Sequence, residues 1–163
     1  MEQPRRIFAV TSDLLVGAFA SPERGAWLRT LGVTDLLNVS DARSWVSSES
    51  HGFRRVVWVP IADCVPIMEE DLETCFQTLV SMRAQAGAKV FVHCMAGQNR
   101  APTVLWLYLQ TLGHSPEAAK ALITNASPDA LPGHPLLLST AVLELTQQWR
   151  SRQKDTVPSG PGT

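Results

Sequence analysis

The sequence predicts an α/β fold in which a central, mostly parallel sheet is flanked by helices on both faces. Strand and helix signals alternate along almost the whole chain. The strand candidates are short runs of β-branched and other apolar residues, and several helix candidates begin and end at capping residues. One strand candidate, 89–92, leads directly into His93-Cys94 and is followed by a loop and a helix. In a sheet of this kind, a loop between a strand end and a helix start is the expected place for a ligand.

The first half of the chain indicates a hairpin, one helix and two further strands. Its strand candidates are the apolar runs at 7–10, 14–16, 33–39 and 56–61. The first two flank Thr11-Ser12-Asp13, so they predict a hairpin. Ser21-Pro22-Glu23 provides an N-cap, a proline and an acidic first turn for a helix that ends at Gly32. The polar segment 41–52 is predicted to be a loop, in which Trp45 either packs as an ordinary loop residue or borders the ligand cleft.

Helix signals dominate the second half of the chain. Acidic residues at 69–71 suit the N-terminal end of a helix that finishes at Gly87. Pro102 opens an apolar helix that reaches Leu112, and Ser115-Pro116-Glu117 caps another. A terminal helix carries an apolar stripe on one face, made of Leu138, Val142, Leu145 and Trp149.

Size and composition point to one globular domain. The chain has 163 residues, of which 45% are hydrophobic and 18% are charged. We assign residues 1–150 to this domain. Residues 151–163 are predicted to form a disordered tail, because the end of the chain is rich in proline, glycine and serine and has little apolar content.

The charge and hydrophobicity patterns exclude several partners. A formal net charge of −1 leaves no basic surface for nucleic acid. No apolar run reaches the ~18 residues that a membrane span needs, and the first residues lack an apolar secretory core. We therefore expect a cytoplasmic monomer with no nucleic-acid or membrane partner.

Three cysteines, Cys64, Cys75 and Cys94, raise the question of which one is reactive. An odd number of cysteines at wide spacing makes a poor disulfide framework and does not match a zinc site. In a reducing compartment all three stay free thiols, and their surroundings decide their reactivity.

The segment 90–103 carries the strongest functional signal. Five residues separate Cys94 from Arg100, at the junction of a strand and a helix. Such a loop can curl so that its backbone N–H groups point inward; Gly97 permits the tight backbone, and the following helix adds its positive end. Arg100 offers a planar fork for two phosphate oxygens. The sequence therefore predicts a phosphate site built from His93, Met95, Ala96, Gly97, Gln98, Asn99 and Arg100.

Cys94 is the predicted nucleophile of this site, because an anion-stabilising loop favours the thiolate form of a cysteine. His93 is expected to orient the loop, since a thiolate needs no base. A leaving oxygen needs a proton, and Asp63 is the predicted general acid. Asp63 lies just beyond the strand that ends at Ile61, at the same sheet edge as Cys94 if the strands are parallel. The alternatives, which better suit the first turn of a helix, are Glu69, Glu70 and Asp71.

The pattern of His93-Cys94, five residues and Arg100 resembles the P-loop of the cysteine-dependent protein tyrosine phosphatase superfamily. The segments that resemble its compact dual-specificity branch are Leu14-Leu15-Val16-Gly17, the strand at 33–40, and Val59-Pro60-Ile61-Ala62-Asp63. The resemblance extends to about Arg150. It implies a dual-specificity phosphatase-like fold, with the P-loop between a strand and a helix, and Cys94, Arg100 and Asp63 as the catalytic residues.

The resemblance also implies a reaction. Proteins of this kind hydrolyse phosphomonoesters of phosphotyrosine or phosphoserine/threonine proteins through a phosphocysteine intermediate, without a metal or other cofactor. One position departs from the family pattern: Ala101 stands where the family has Ser or Thr, whose hydroxyl assists breakdown of the phosphocysteine. Two alternatives therefore stay open. One is a phospho-binding pseudophosphatase, and the other is a phosphatase of a phosphoglycan, since Arg100-Ala101-Pro102 also resembles the plant glucan phosphatases.

Overall fold

The computed structural model describes residues 5–156, and within them five strands form one sheet. The strands are β1 (Ile7–Ala9), β2 (Leu14–Gly17), β3 (Asp35–Asn38), β4 (Arg55–Trp58) and β5 (Val90–His93). Their spatial order is β1-β2-β5-β3-β4. Strand β1 runs antiparallel to β2, and all other neighbouring pairs are parallel. The predicted hairpin and the predicted mostly parallel sheet are both confirmed.

Helices cover both faces of the sheet, as predicted. They are α1 (Pro22–Thr30), α2 (Ser48–His51), α3 (Glu69–Arg83), α4 (Arg100–Thr111), α5 (Pro116–Ala126) and α6 (Thr140–Thr156), with a 3₁₀ turn at Pro135–Leu137. The oxygens of Ser21 and Ser115 accept hydrogen bonds from the first turns of α1 and α5, which confirms both predicted N-caps. None of the helices within residues 5–156 combines the length and the apolar content needed to cross a membrane.

Two hydrophobic cores lie on opposite faces of the sheet, because successive strand side chains alternate between the faces. On one face, Leu15 and Phe91 pack with Leu28 of α1. On the other face, Val16 and Val92 belong to the larger core, which α3, α4, α5 and α6 complete. The central strand β5 is therefore buried on both sides, and this holds the residues at its end in a fixed position.

The parallel strands bring three loops to one edge of the sheet. His93, the last residue of β5, lies between Gly17 of β2 and Asn38 of β3 in the register. Asn38 in turn pairs with Trp58, the last residue of β4. The segments that follow β3, β4 and β5 therefore leave the sheet side by side, as the sequence analysis assumed when it placed Asp63 near Cys94.

The structure corrects several predicted boundaries. Helix α3 ends at Arg83, before the predicted end at Gly87, and Leu138 precedes α6 instead of lying in it. Helix α6 continues to Thr156, so the predicted tail does not begin at 151; residues 157–163 lie outside the described residues. Arginine and glutamine in this stretch are good helix formers, and the Arg152 guanidinium lies over the Trp149 ring at 5.6 Å. The predicted loop 41–52 contains the short helix α2, which Ser47 caps at its start and Gly52 ends in a left-handed conformation.

Candidate active site

The P-loop (residues 94–100) connects β5 to α4 and is packed tightly against the end of β2. Gly97 has a φ of +77°, and a Cβ atom on it would lie 2.6 Å from the carbonyl carbon of Gly17. A Cβ atom on Gly17 would itself lie 2.0 Å from the carbonyl oxygen of Arg6. Three backbone segments are thus stacked without intervening side chains, which only glycine at the two inner positions permits.

Three carbonyl groups in the middle of the P-loop, those of Met95, Ala96 and Gln98, accept hydrogen bonds from distant segments of the chain. These bonds run from Phe19 N–H to Met95 (2.9 Å), from the Arg6 guanidinium to Ala96 (2.6 Å), and from Leu131 N–H to Gln98 (2.7 Å). In a trans peptide unit, the C=O group and the N–H group of the next residue point in opposite directions. The N–H groups of Ala96, Gly97 and Asn99 are therefore turned toward the inner side of the loop. This arrangement is the anion-binding nest that the sequence predicts.

The inner side of the loop forms a pocket of about 110 Å³. Its lining consists of Asp63, Cys94, Met95, Ala96, Gln98, Asn99 and Arg100. The volume corresponds to roughly four water molecules at liquid density. The structure therefore brings the three predicted catalytic residues together with Met95, Ala96, Gln98 and Asn99 at one site. Gly97, which was also predicted to bind, is not among the lining residues.

Arg100 is buried beside this pocket and is anchored on one side only. Its Nη1 donates hydrogen bonds to the Ile61 carbonyl and to Asp41 Oδ1, both at 3.0 Å. Its Nε is buried and has no hydrogen-bond partner within residues 5–156. A buried donor without a partner is rare in folded proteins. An anion in the pocket is the group that would satisfy it.

Asp41 is a site residue that the sequence analysis missed. Its carboxylate accepts from Arg100, and this hydrogen bond holds the pKa of Asp41 below its ordinary value. The available signal was positional: Asp41 follows the strand β3, whose end shares a sheet edge with the ends of β4 and β5. A carboxylate at that edge is a natural partner for an arginine at the start of α4.

The three cysteines have different surroundings. Cys75 is fully buried in α3, and burial raises the pKa of its thiol, so that it stays protonated. Cys64 is exposed, and its backbone adopts a left-handed φ of +59°. Cys94 is buried at the base of the pocket. Of the three, Cys94 is the one placed among inward-facing N–H groups and an arginine.

His93 lies beneath the P-loop and does not line the pocket. Its ring is fully buried, stacked with Phe91 and in edge contact with Phe19. Its Nδ1 lies 3.2 Å from the carbonyl oxygen of Cys94, and a carbonyl only accepts, so Nδ1 carries the proton. Burial lowers the pKa of His93 to about 4, so the ring is neutral. His93 was predicted from the sequence to be a binding residue, but the alternation of side chains along β5 turns it away from the ligand side.

Asp63 occupies the opposite rim of the pocket and is loosely held. Its Oδ1 accepts from the backbone N–H of Cys64 at 3.0 Å and lies 4.0 Å from Arg100 Nε. The Asn99 side-chain amide is 3.5 Å from both carboxylate oxygens. The side chain of Asp63 is 40% exposed. A carboxyl group in this position has access both to the pocket and to water.

The alternative acids lie elsewhere. Glu69, Glu70 and Asp71 form the first turn of α3, as their helix-start signal predicted, and none of them lines the pocket. Burial and the neighbouring Glu70 raise the pKa of Asp71, a direction that would suit an acid. Its position does not suit that role, because Asp71 lies in α3 one turn before Cys75 and away from the pocket. Among residues 5–156, Asp63 is the carboxylate that lines the pocket.

The residue after Arg100 brings no hydroxyl group to the site. Ala101 is fully buried in the first turn of α4. The Thr103 hydroxyl donates to the Leu131 carbonyl at 3.4 Å and accepts from His134 N–H at 3.3 Å, so it is engaged away from the pocket. Trp45, the loop aromatic, is 67% exposed, packs edge-on against Phe19, and is not part of the pocket lining.

A comparison with known families agrees with this geometry. The family described as "Dual specificity phosphatase, catalytic domain" matches residues 16–136. The chain belongs to this family. A relative, dual specificity protein phosphatase 5 of Rattus norvegicus, is 30% identical over 99 residues, which are 59% of this chain and 24% of that relative. The match thus spans about a quarter of the relative's length.

Solved structures show the same fold. The crystal structure of DUSP15 superposes with a TM-score of 0.74 at 18% identity, covering 92% of this chain and 96% of that one. The structure of PTPMT1 in complex with PI(5)P gives a TM-score of 0.71 at 18% identity, covering 92% of this chain and 97% of that one. Identities this low speak for the fold alone. Family and fold together support a phosphatase.

Proposed function

We propose that this domain hydrolyses phosphomonoesters in two steps through a phosphocysteine intermediate on Cys94. The observation that carries the proposal is the content of the pocket. A buried thiol, inward-turned N–H groups of the P-loop and the Nε of Arg100, which makes no hydrogen bond, all lie at a space of about 110 Å³. A phosphate dianion has the charge and the acceptors that this set of donors lacks.

In the first step, the Cys94 thiolate attacks phosphorus and the ester P–O bond breaks. Asp63 gives its proton to the leaving oxygen, since it is the carboxyl group on the pocket rim. Charge on the transferring phosphoryl group develops on its equatorial oxygens. Arg100 and the N–H groups of the loop hold those oxygens in positions already set before the substrate arrives.

In the second step, water attacks phosphorus and the P–S bond breaks. The Asp63 carboxylate takes a proton from that water, and the Cys94 thiolate is restored as inorganic phosphate leaves. Ala101 provides no hydroxyl to the departing sulfur, and the Thr103 hydroxyl is engaged with Leu131 and His134. We therefore expect this second step to be the slow one.

Phosphotyrosine or phosphoserine/threonine proteins are the substrates that the site favours. The pocket has room for a phosphoryl group but not for a whole phosphorylated side chain, so the rest of the substrate stays on the surface. No charged side chain lies between Cys94 and Arg100, whereas a polyanionic head group calls for extra cations. PTPMT1 was solved with PI(5)P, so a phosphoinositide belongs in the test panel, together with a phosphoglucan.

Rapid-quench mass spectrometry tests the reaction. The chain is mixed with an aryl phosphate and denatured in alkaline detergent within the first turnover, because an S-phosphoryl cysteine hydrolyses in mild acid. It is then digested and mapped by peptide at alkaline pH. We expect a phosphoryl adduct on the peptide that contains Cys94, and Cys64→Ser as a matched cysteine control should give the same adduct. Steady-state turnover of phosphopeptides, phosphoinositides and phosphoglucans then ranks the substrates. An adduct on another residue, or turnover without any adduct, would contradict the mechanism.

One observation favours a phospho-binding pseudophosphatase as a second candidate. The buried Ala101 leaves the second step without its usual hydroxyl, while the binding elements of the P-loop are intact. Such a protein would retain a phosphopeptide with micromolar or better affinity and release no phosphate over hours. Steady-state turnover of the aryl phosphate separates the candidates, because a binding protein releases no inorganic phosphate beyond one equivalent of the enzyme.

We also propose that the domain works as a monomer in the cytoplasm, without nucleic-acid or membrane partners and without a metal or other cofactor. Three free cysteines support a reducing compartment, in which a reactive thiolate is preserved. The net charge of −1 offers nothing for a phosphate backbone. Light scattering of the purified chain measures its oligomeric state. Full activity after treatment with a chelator is the expected result for a reaction carried by Cys94.

A further inference from the structure

Arg6 makes the one side-chain contact among the three hydrogen bonds by which distant segments of the chain hold the carbonyls of Met95, Ala96 and Gln98. Phe19 and Leu131 hold the Met95 and Gln98 carbonyls through backbone N–H groups, which any residue except proline would supply. The Ala96 carbonyl depends on the guanidinium of Arg6, at 2.6 Å from Nη2. This contact joins residues far apart in the chain and cannot be replaced by the backbone. It is therefore specific to an arginine at position 6.

The contact fixes one peptide unit of the P-loop. The Ala96 carbonyl and the Gly97 N–H belong to the same planar unit and point in opposite directions. A cation on the carbonyl oxygen holds the Gly97 N–H toward the pocket and polarises it, which strengthens it as a donor to an anion. Gly97 itself adopts a φ of +77°, a conformation that glycine leaves easily unless its neighbours hold it.

The backbone of Arg6 is held in place as firmly as its side chain. Its carbonyl accepts from Ala18 N–H at 3.1 Å and packs directly against the α-carbon of Gly17. The next residue, Ile7, pairs with Gly17 in the hairpin. Arg6 nevertheless has a φ of +54°, which costs free energy for a residue with a side chain and persists only where surrounding contacts enforce it. Strain of this kind at a loop contact points to a functional constraint.

Within the part of the chain that the structure describes, the charge of Arg6 is not paired with an acidic neighbour. Among residues 5–156, no carboxylate lies within ion-pair distance of Arg6. Burial and then the positive charge of Arg6 lower the pKa of Arg24, so the two guanidinium groups lie close enough to repel each other. Among the described residues, Arg6 is thus a cation without an acidic partner on the outer side of the P-loop, in addition to Arg100 on the inner side.

We propose that Arg6 is a positioning residue of the P-loop: its guanidinium sets the Ala96–Gly97 peptide unit so that the Gly97 N–H binds a phosphoryl oxygen. The proposal rests on the phosphatase function proposed above. Arg6 touches no substrate atom and acts through Ala96. Removing it leaves Cys94, Arg100 and Asp63 in place and disorders one donor of the nest.

Four variants of the whole chain separate the side chain, its charge and the backbone strain. Arg6→Ala removes the guanidinium and keeps the strained backbone. Arg6→Gly removes the guanidinium and relieves the strain, and Arg6→Lys retains a cationic donor. Arg5→Ala is the matched control, because Arg5 stacks on Trp27 and makes no contact with the P-loop. The measurements are kcat and KM for an aryl phosphate, inhibition by orthovanadate, and the ¹⁵N–¹H signal of Gly97 during a vanadate titration.

We expect Arg6→Ala and Arg6→Gly to lose roughly threefold to tenfold in kcat/KM and in vanadate affinity, the weight of one hydrogen bond. Arg6→Lys should recover most of the loss, and Arg5→Ala should match the wild type. The Gly97 signal should shift on vanadate binding in the wild type and shift less in Arg6→Ala. A merely structural role would lower the melting temperature and the titrated fraction of active enzyme, with kcat/KM per active site unchanged.

The results can tell a failure of the proposed phosphatase function apart from a failure of the role of Arg6. A wild-type chain that neither turns over the aryl phosphate nor binds vanadate overturns the proposed function, and the role of Arg6 falls with it. An active wild type with unchanged kcat/KM and vanadate affinity in both Arg6→Ala and Arg6→Gly overturns the role of Arg6 alone. Equal losses in Arg5→Ala and Arg6→Ala also overturn it, since a general effect of charge would then explain both.

Discussion

The P-loop and the segment that carries Asp63 lie on two sides of one pocket, yet the protein holds them very differently. The P-loop has its carbonyls tied from outside, its glycine wedged against β2 and its arginine anchored at Nη1. The segment 62–66 is exposed throughout. Its carboxylate is held by the neighbouring N–H of Cys64 and by the Asn99 amide at 3.5 Å.

This difference follows the tasks proposed for the two regions. Donors that stabilise a developing charge must be aligned beforehand, because reorganising them during the reaction would cost the free energy they provide. A proton donor needs only to come within hydrogen-bond reach of the leaving oxygen once the substrate is bound. Binding of an oxyanion and delivery of a proton should therefore be separable by mutation.

The largest effect is expected from substitutions in the P-loop. Cys94→Ser should abolish aryl phosphate turnover, because a serine hydroxyl is not ionised by this loop and has no adjacent base. It should keep the fold and the binding of inorganic phosphate or tungstate. Arg100→Ala should lose the oxyanion binding as well, with kcat/KM lower by ~10²–10³. Calorimetric titration of tungstate and steady-state kinetics measure the two quantities, and substantial turnover by Cys94→Ser would refute the assigned nucleophile.

The next largest effect is expected from a substitution that removes the proton donor and leaves the P-loop intact. Asp63→Asn should lower kcat by ~10²–10⁴ for esters with poor leaving groups, which need a proton. It should lower kcat much less for an activated aryl phosphate, and vanadate affinity should be unchanged. The measurement uses a series of aryl phosphates with graded leaving-group pKa, and kcat should fall more steeply with that pKa in the variant than in the wild type.

Asp71→Asn is the matched control for this prediction, since Asp71 also has a carboxyl group but lies in the first turn of α3. It should retain the wild-type dependence on the leaving group. The acid role belongs to another carboxylate if Asp63→Asn lowers kcat equally for all the aryl phosphates. The same conclusion follows if Asp63→Asn leaves kcat unchanged while Asp71→Asn lowers it.

The third effect concerns the turnover of the intermediate within the P-loop. A hydrogen bond to a charged group contributes ~1.5–3 kcal/mol, so the missing hydroxyl at position 101 should slow the second step roughly tenfold to a hundredfold. Stopped-flow kinetics should then show a burst of product equal to the enzyme concentration, followed by a slow steady rate. Ala101→Ser should raise the steady rate and shrink the burst. No burst in the wild type, with an unchanged kcat in Ala101→Ser, would show that phosphocysteine hydrolysis is not limiting.

The same contrast explains how much of the site could be predicted from the sequence. The P-loop is a local motif, so spacing alone is enough to identify Cys94, Gly97 and Arg100 in the sequence. The ligand edge also followed from the sequence, because alternating strand and helix signals predict parallel strands whose ends meet. Asp63 was preferred to Glu69, Glu70 and Asp71 because it follows a strand while they suit a helix start, and the contacts of the 59–63 segment with Arg100 and Asn99 agree with that choice.

Other features depend on contacts between distant parts of the chain and carry no local signal. Arg6 reads as one more basic residue near the N-terminus, and its contact with Ala96 exists only after the hairpin pairs with β5. Asp41 reads as a loop residue. The burial of His93 follows from the strand pattern, but its turn away from the ligand follows from which face of β5 meets α1.

A pH effect on stability should report the tight packing beneath the P-loop. Burial lowers the pKa of His93 from 6.5 to about 4, so the folded protein disfavours the charged ring. As pH falls below 6.5, the unfolded chain takes up a proton on His93 that the folded protein does not. The free energy of unfolding is therefore greatest above pH 6.5 and decreases by about 3 kcal/mol as pH falls toward 4. His93→Asn keeps a donor and cannot titrate. Urea unfolding at both ends of this range should show a smaller pH dependence in the variant, and equal pH dependence would contradict a buried neutral His93.

The smallest expected effect lies where the two regions meet, at the anchor of Arg100. Nη1 has two acceptors, the buried Ile61 carbonyl and the largely exposed Asp41 carboxylate, so the loss of one leaves the other. Asp41→Asn should lower kcat/KM for the aryl phosphate only roughly twofold to fivefold, the weight of an exposed ion pair. Most of the loss should appear in KM and in vanadate affinity, because Arg100 would still reach the phosphoryl group but in a less fixed position.

Salt and pH decide whether Asp41 acts by this route. Arg100 holds the pKa of Asp41 below its ordinary value, so the carboxylate stays ionised over the usual assay range and the pH profiles of wild type and Asp41→Asn should run parallel. An exposed pair is screened by salt, so the difference between the two proteins should shrink as ionic strength rises. Asp41→Ala, which also removes the acceptor, should lose more than Asp41→Asn. A large loss in kcat alone, insensitive to salt, would instead place Asp41 in the proton transfer, on the Asp63 side of the pocket.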